Sequence, residues 1–289
     1  MKNLYLFIVT PARKIQCLLY VMIIFFSNSY AQYEGTYHTG EFGIQAGASH
    51  YFGDLNTATG LKKPNIAAGV FFRRQINNYA ALRIAFNYTK LHYSDKYQSD
   101  NEFQRRRNLD FYTSIWEILM LGDFNFFRFN PDNPAERFTP FLTFGFGFFT
   151  YNPYTFLEGE KQFLRPMGTE GQSSAKYPDK TAYGTSAVCI PIGLGFKWSV
   201  SRKINMHFEI THRFTTTDYL DDVSGNYAGK DAFLQGTPAA LLQDRSYETG
   251  TPIGKEGSQR GFSGNKDQYI IANLGITLNF SSYRCPGSN

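Results

Sequence analysis

The stretch Gln268-Tyr-Ile-Ile-Ala-Asn-Leu-Gly-Ile-Thr-Leu-Asn-Phe280 decides how this chain is read. Ile270, Ala272, Leu274, Ile276, Leu278 and Phe280 fall on one side, and Asn273, Gly275, Thr277 and Asn279 on the other. A period of two marks a strand whose faces meet different surroundings. Residues 203–214 repeat the pattern, with Ile204, Met206, Phe208 and Ile210 against Asn205, His207, Glu209, Thr211 and Arg213. Residues 79–92 set Leu82, Ile84, Phe86 and Tyr88 against Arg83, Asn87 and Thr89, and residues 187–199 set Val188, Ile190, Ile192, Leu194, Phe196 and Trp198 against Gly193, Gly195 and Lys197. Segments 41–51, 66–76, 108–127 and 138–150 alternate less cleanly, and 108–127 falters at Leu119 and Leu121.

These segments predict eight strands. The connections alternate as well: Asn77-Asn78, Asn130–Glu136 and Ser199–Arg202 are short, whereas 52–65, 93–107, 151–186 and 215–267 are long. An even strand number with short turns at one end and long loops at the other predicts an all-β, eight-stranded antiparallel transmembrane barrel, its termini on the periplasmic side. A soluble barrel of equal strand number would turn its apolar face inward. The polar, Gly-rich second face favours the membrane version. The long loops are rich in Gly, Ser, Thr, Pro, Asp and Lys and read as surface loops.

Composition agrees. Aromatics reach 17% and charged residues only 18%, which suits a chain whose strands face lipid on one side. At the N-terminus, Arg13 and Lys14 precede an apolar run, Ile15–Phe26, and the small Ser29 and Ala31 are placed for cleavage before Gln32. Residues 1–31 thus read as a secretory signal peptide, 32–280 as the barrel and 281–289 as a periplasmic tail. The run is too short for a span of about 20 residues. Cleavage would remove three of the 29 basic residues and none of the 24 acids, leaving a net charge of +2. That balance gives no reason to expect nucleic acid as a partner. Arg105, Arg106 and Arg107 read as a solvated loop or a contact to lipid phosphates. No later segment reaches about 18 consecutive apolar residues, so the bilayer must be crossed by a closed barrel.

The interior of an eight-stranded barrel is just wide enough for side chains to fill. Glu41, Arg83, Glu117, Lys197, His207, Glu209 and Arg213 fall on the inward face and read as a structural polar network rather than the lining of a pore. Barrels that modify lipids carry His, Ser and acidic residues near the rim. His207 and Glu209 share a face, yet no nucleophilic Ser is identifiable beside them, and the five histidines show no metal-binding spacing. No catalytic residue, metal or cofactor is expected. A general stabilising or adhesive barrel is a further alternative. Thr217-Asp-Tyr-Leu-Asp-Asp-Val-Ser224 could offer oxygens to a hard cation, but its plain reading is a rigid turn capped by Asp and Ser. Strands one and eight must pair to close the barrel. Gly53, Asp54 and Asn56 are therefore expected to pack against Asp218, Asp221 and Asp222 at the extracellular rim.

Several motifs in order resemble a known family: Glu41-Phe-Gly-Ile44 leading to Tyr51-Phe-Gly-Asp-Leu-Asn56, Trp116-Glu117 before Asn125-Phe-Phe127, Pro140-Phe141 with Gly145-Phe-Gly147, Ile190-Pro191 with Gly193-Leu-Gly195, and Asp218-Tyr-Leu-Asp-Asp-Val-Ser224. Together they are similar to the PorG-like outer-membrane barrels of the type IX secretion system, which is linked to protein secretion and gliding motility. The segment 228–267 is longer than that pattern suggests. The resemblance implies a non-catalytic barrel embedded in outer-membrane lipid. Its expected partners are a periplasmic ring lipoprotein (PorK-like) and that lipoprotein's own partner subunit (PorN-like). Without the signal peptide the chain has two cysteines, Cys189 at the outer end of a strand and Cys285 in the tail. They lie too far apart to join. An unpaired Cys285 in an oxidising compartment suggests an intermolecular disulfide, and under the resemblance its partner would be the ring lipoprotein.

Overall fold

The computed structural model describes residues 37–57, 61–98 and 101–282. The expected signal peptide, and Cys285 with the last seven residues, lie outside the described residues.

Ten strands form in chain order: β1 (Tyr37–Phe52), β2 (Asn65–Gln75), β3 (Ala80–Ser94), β4 (Asp110–Asn125), β5 (Phe138–Thr150), β6 (Tyr154–Leu157), β7 (Glu160–Phe163), β8 (Ser186–Ser199), β9 (Ile204–Thr215) and β10 (Gln268–Ser282). Eight of them close a barrel in which each strand pairs antiparallel with its neighbours, β5 meeting β8 and β1 meeting β10. The closing seam runs from Tyr37 opposite Ser282 to Phe52 opposite Gln268. Among the described residues the first strand begins at Tyr37 and the last runs to Ser282. Short β6 and β7 form a hairpin inside the third long loop and extend the wall beside β4, with Tyr154 opposite Tyr112. Its turn, Glu158-Gly159, has positive φ at both residues (53° and 87°), the twist a two-residue hairpin turn requires.

Period two sorts the wall as the sequence indicated. Leu274 is 63% exposed, whereas the adjacent Asn273 is 2% exposed. The outer surface is a belt of large apolar side chains from every barrel strand, including Ile84, Phe86, Ile118, Phe146, Ile192, Leu194, Ile210 and Ile276. Leu119 and Leu121, where alternation faltered, simply face inward and are buried. An apolar belt around a barrel with no open sheet edge is the form a bilayer stabilises. Among the described residues no helix is long and apolar enough to cross a membrane.

The interior has two layers. Charged and amide side chains fill the half nearer the short turns. Tyr51, Tyr93, Phe111, Ile115, Phe149, Tyr269 and Ile271 fill the half nearer the long loops, and Leu220 and Val223 of the last long loop pack onto them.

Candidate functional site: a plugged lumen under a sealed rim

Arg73 on β2 and Arg83 on β3 are register partners. Two guanidiniums side by side would repel, and Asp123 on β4 resolves this by standing between them. Its carboxylate accepts from Arg73 Nε at 2.6 Å and lies 3.2 Å from Arg83 Nη2, with Lys197 Nζ at 3.6 Å. Arg73 also reaches Glu41 at 2.7 Å, and Arg83 reaches Glu209 at 2.8 Å. Gln75 Nε2 and Thr277 Oγ1 complete the Glu41 carboxylate. Lys197 donates to Asn125 Oδ1 at 3.1 Å. Nearer the loops, Glu117 accepts from Arg213 at 2.9 Å, Asn87 at 2.8 Å and the Tyr269 hydroxyl at 2.7 Å. Gln45 bridges the two tiers, donating to Asn87 and lying 3.4 Å from His207 Nε2.

The seven inward residues singled out from the sequence are all buried here. With Arg73 and Asp123 the set balances: Arg73, Arg83, Lys197 and Arg213 against Glu41, Glu117, Asp123 and Glu209. A buried charge is tolerated when paired and hydrogen-bonded, and here the paired charges interlock across the lumen. Gly275 shows how tightly it packs, since a Cβ there would lie 2.1 Å from the His207 ring. His207 and Glu209, the pair considered for lipid chemistry, have separate partners and lie inside the wall, away from the rim.

Above the plug, the first and last long loops meet through Tyr51, next to the residues singled out from the sequence. Tyr51 at the end of β1 places its hydroxyl 2.5 Å from Asp221 Oδ2 and 2.9 Å from Asp267 Oδ1. One phenol proton cannot serve two carboxylates, so one of the pair must itself be protonated. Burial, and then neighbouring carboxylates (Asp267 and Asp54 for Asp221, Asp218 and Asp54 for Asp267), push both Asp221 and Asp267 well above the usual carboxylate range. Gly53 lies against this cluster; a Cβ there would fall 2.0 Å from Asp267 Oδ1 and from the Tyr51 hydroxyl. Asp54 accepts from the Phe262 amide, and Asn56 from β1's end holds His50 and the Tyr51 carbonyl. Asp218 accepts from Ser224, and Asp222 from Thr169 and Tyr183. Burial raises both to about 6. These carboxylates thus accept from hydroxyls and backbone amides. Among the described residues no group of three or more His, Cys, Asp or Glu side chains is disposed to hold a metal ion.

Two arginines turn the long loops into one cap. Arg107 pairs with Asp95 at 2.7 Å and donates to the backbone carbonyls of Asp54 and Arg260. Arg260 pairs with Glu170 at 3.2 Å and donates to the carbonyls of Asp222 and Gln243. All four long loops are joined by these contacts. The reading of Arg105–Arg107 as solvated or lipid-bound is corrected at Arg107, which is buried; Arg105 is exposed and Arg106 donates to the Thr251 carbonyl. Sequence reasoning missed Arg73, Arg107, Arg260 and Asp267. Strand parity could have found Arg73, which shares its face with Gly69 and Phe71.

A family model described as "Domain of unknown function (DUF6089)" matches residues 14–234. The chain belongs to this family. No curated protein matches the sequence. Among solved structures, the Neisserial surface protein A shares 11% identity with a TM-score of 0.39, covering 86% of this chain and 100% of its own. The attachment invasion locus protein Ail of Yersinia pestis shares 10% with a TM-score of 0.39 over 86% of this chain and 100% of its own. The outer membrane protein OprG from Pseudomonas aeruginosa shares 12% with a TM-score of 0.34 over 85% of this chain and 96% of its own. At this level the likeness says nothing of what this family member binds.

Proposed function

We propose that this protein is a non-catalytic barrel of the type IX secretion system that anchors a periplasmic ring, built from a PorK-like lipoprotein and a PorN-like subunit, against the outer membrane. The plugged lumen carries this reading. A barrel whose lumen is filled by paired charges, whose His207 and Glu209 are engaged internally, and whose loops fold into an ordered cap acts through its surfaces. The motif resemblance supplies the system. The short-turn end is taken as periplasmic, with the long loops outside. That end is itself built as a platform. The Phe129 amide donates to Asn78, Arg202 lies 3.7 Å from Asp132, Arg128 lies 3.2 Å from Glu136, and Asn279 Nδ2 donates to the Arg202 carbonyl. These contacts hold the three short turns together while Arg202 stays 75% exposed.

Affinity capture of the tagged protein from detergent-solubilised outer membranes tests the proposal. It expects a lipoprotein and a second periplasmic subunit in constant ratio. Recovery of the barrel alone, under conditions that preserve other outer-membrane complexes, would overturn it.

A further inference from the structure

On the wall formed by β3 and β4, the apolar belt ends at Tyr88 and its register partner Trp116. Those rings pack at 4.6 Å, as interface aromatics of membrane barrels do. One step outward stands the exposed Lys90. One step further, four aromatic residues line up across four strands: His92, Tyr112, Tyr154 and Phe163 are successive register partners on β3, β4, β6 and β7. Their rings follow at 3.9, 5.5 and 6.0 Å. Beyond the row, Lys161 leans back over the Tyr154 ring at 3.8 Å and the Phe163 ring at 4.6 Å. Lys62, Lys63 and Lys96 flank it around Tyr97, with Lys63 Nζ 5.4 Å from that ring. The carboxylates nearby do not cancel these charges. Asp110 is held by Arg245 and Thr155, Glu160 lies on the opposite face of the hairpin from Lys161, and Glu158 sits at its turn.

The row begins four residues beyond Trp116. That is about 13 Å along the strand, or about 10 Å along the axis at a typical tilt of about 40°. A glycerophospholipid would bring its phosphate to the level of Lys90 and leave the aromatic row in water. A phosphorylated sugar headgroup fills the whole depth, lying along the outward edges of the stacked rings with its phosphates between Lys90 and Lys161.

We infer that this cationic aromatic wall binds the headgroup of a phosphorylated glycolipid in the outer leaflet, continuing the lipid belt outward. The inference rests on the orientation given under the proposed function, not on the ring. Its test uses the purified full-length protein in detergent, titrated with diphosphorylated lipid A and read by native mass spectrometry. Each lysine near an anionic headgroup contributes about five-fold in affinity, so Lys90→Gln with Lys161→Gln is expected to weaken binding about 25-fold. Dephosphorylated lipid A should bind weakly, phosphatidylglycerol should not displace the bound lipid, and Arg74→Gln, on the wall at the other end, should bind as wild type. Undiminished binding by the double variant, or equal displacement by phosphatidylglycerol, would overturn the inference. Loss in Arg74→Gln instead would place the glycolipid at the opposite end and overturn it with the orientation. Ring capture can fail without changing any of these outcomes.

Discussion

Asp123→Asn keeps the shape of the lumen and removes one charge. Four buried cations then face three carboxylates. The two guanidiniums that Asp123 holds at 2.6 and 3.2 Å lose their shared counter-charge, and Lys197 at 3.6 Å loses its carboxylate. Removing one partner of a buried pair costs about 3–5 kcal/mol because a desolvated charge is left behind. The expected loss is of that size. It should be read by urea titration in phospholipid vesicles, following the fluorescence of Trp116 and Trp198, the only two tryptophans. Adding Lys197→Met restores the balance at three against three and should recover part of the loss, with a coupling of about 0.5–3 kcal/mol. The half-exposed Arg128–Glu136 pair provides the scale for a weak contact, at about 0–1 kcal/mol. If Asp123→Asn costs no more than that, or if Lys197→Met makes it worse, the plug is not organised around Asp123 and the reasoning fails.

The cap and the wall give further expectations. Arg260→Met leaves Glu170 buried without its guanidinium; proteolysis of intact cells should then cut within 228–267, while heat-modifiable migration of the barrel is retained. The raised folded values of Asp221, Asp267, Asp218 and Asp222 fix a sign: their protonated forms stabilise the cap fully below the unfolded carboxylate value of about 4, and this contribution is lost as pH rises through the folded values, which are about 6 for Asp218 and Asp222 and well above the usual carboxylate range for the other two. Hydrogen exchange at the Leu220 and Val223 amides, which donate to Asp267 and Asp221, should lose protection as pH rises through the raised folded values of that pair, after correction for intrinsic rate; unchanged protection would mean the pair carries no extra proton. Leu274→Arg should cost about 2–4 kcal/mol in a bilayer, and a lipid-phase label should mark position 274 and spare 273.

Much of this molecule was legible because a barrel wall repeats one physical rule. Each strand separates lipid from lumen, so parity alone placed Leu274 outside and Asn273, Glu117 and Arg213 inside. It placed them even where Leu119 and Leu121 blurred the contrast, since buried leucines pack inside the lumen beside the paired charges, Leu121 opposite Arg83. Closure of the first strand on the last brings both rim segments to one seam, but the residues that meet there are Tyr51, Asp221 and Asp267. What stayed hidden was tertiary. Arg107 finds the Arg260 carbonyl across 153 positions and Arg260 finds Glu170 across 90, with no local pattern to announce either contact. The loops therefore read as plain surface although they fold into a cap. The β6–β7 hairpin did leave a trace, Glu158-Gly159 between Tyr154-Thr-Phe and Lys161-Gln-Phe163, but a four-residue strand is too short for periodicity to show.

The account turns on which end of this filled barrel meets a partner. A photo-crosslinking amino acid placed at Arg202, in the short turns, and separately at Leu234, in the cap, tests that in living cells. Adducts to a periplasmic lipoprotein from position 202, and none from 234, are the predicted result. Adducts from 234 alone would contradict it, making the cap rather than the platform the working face.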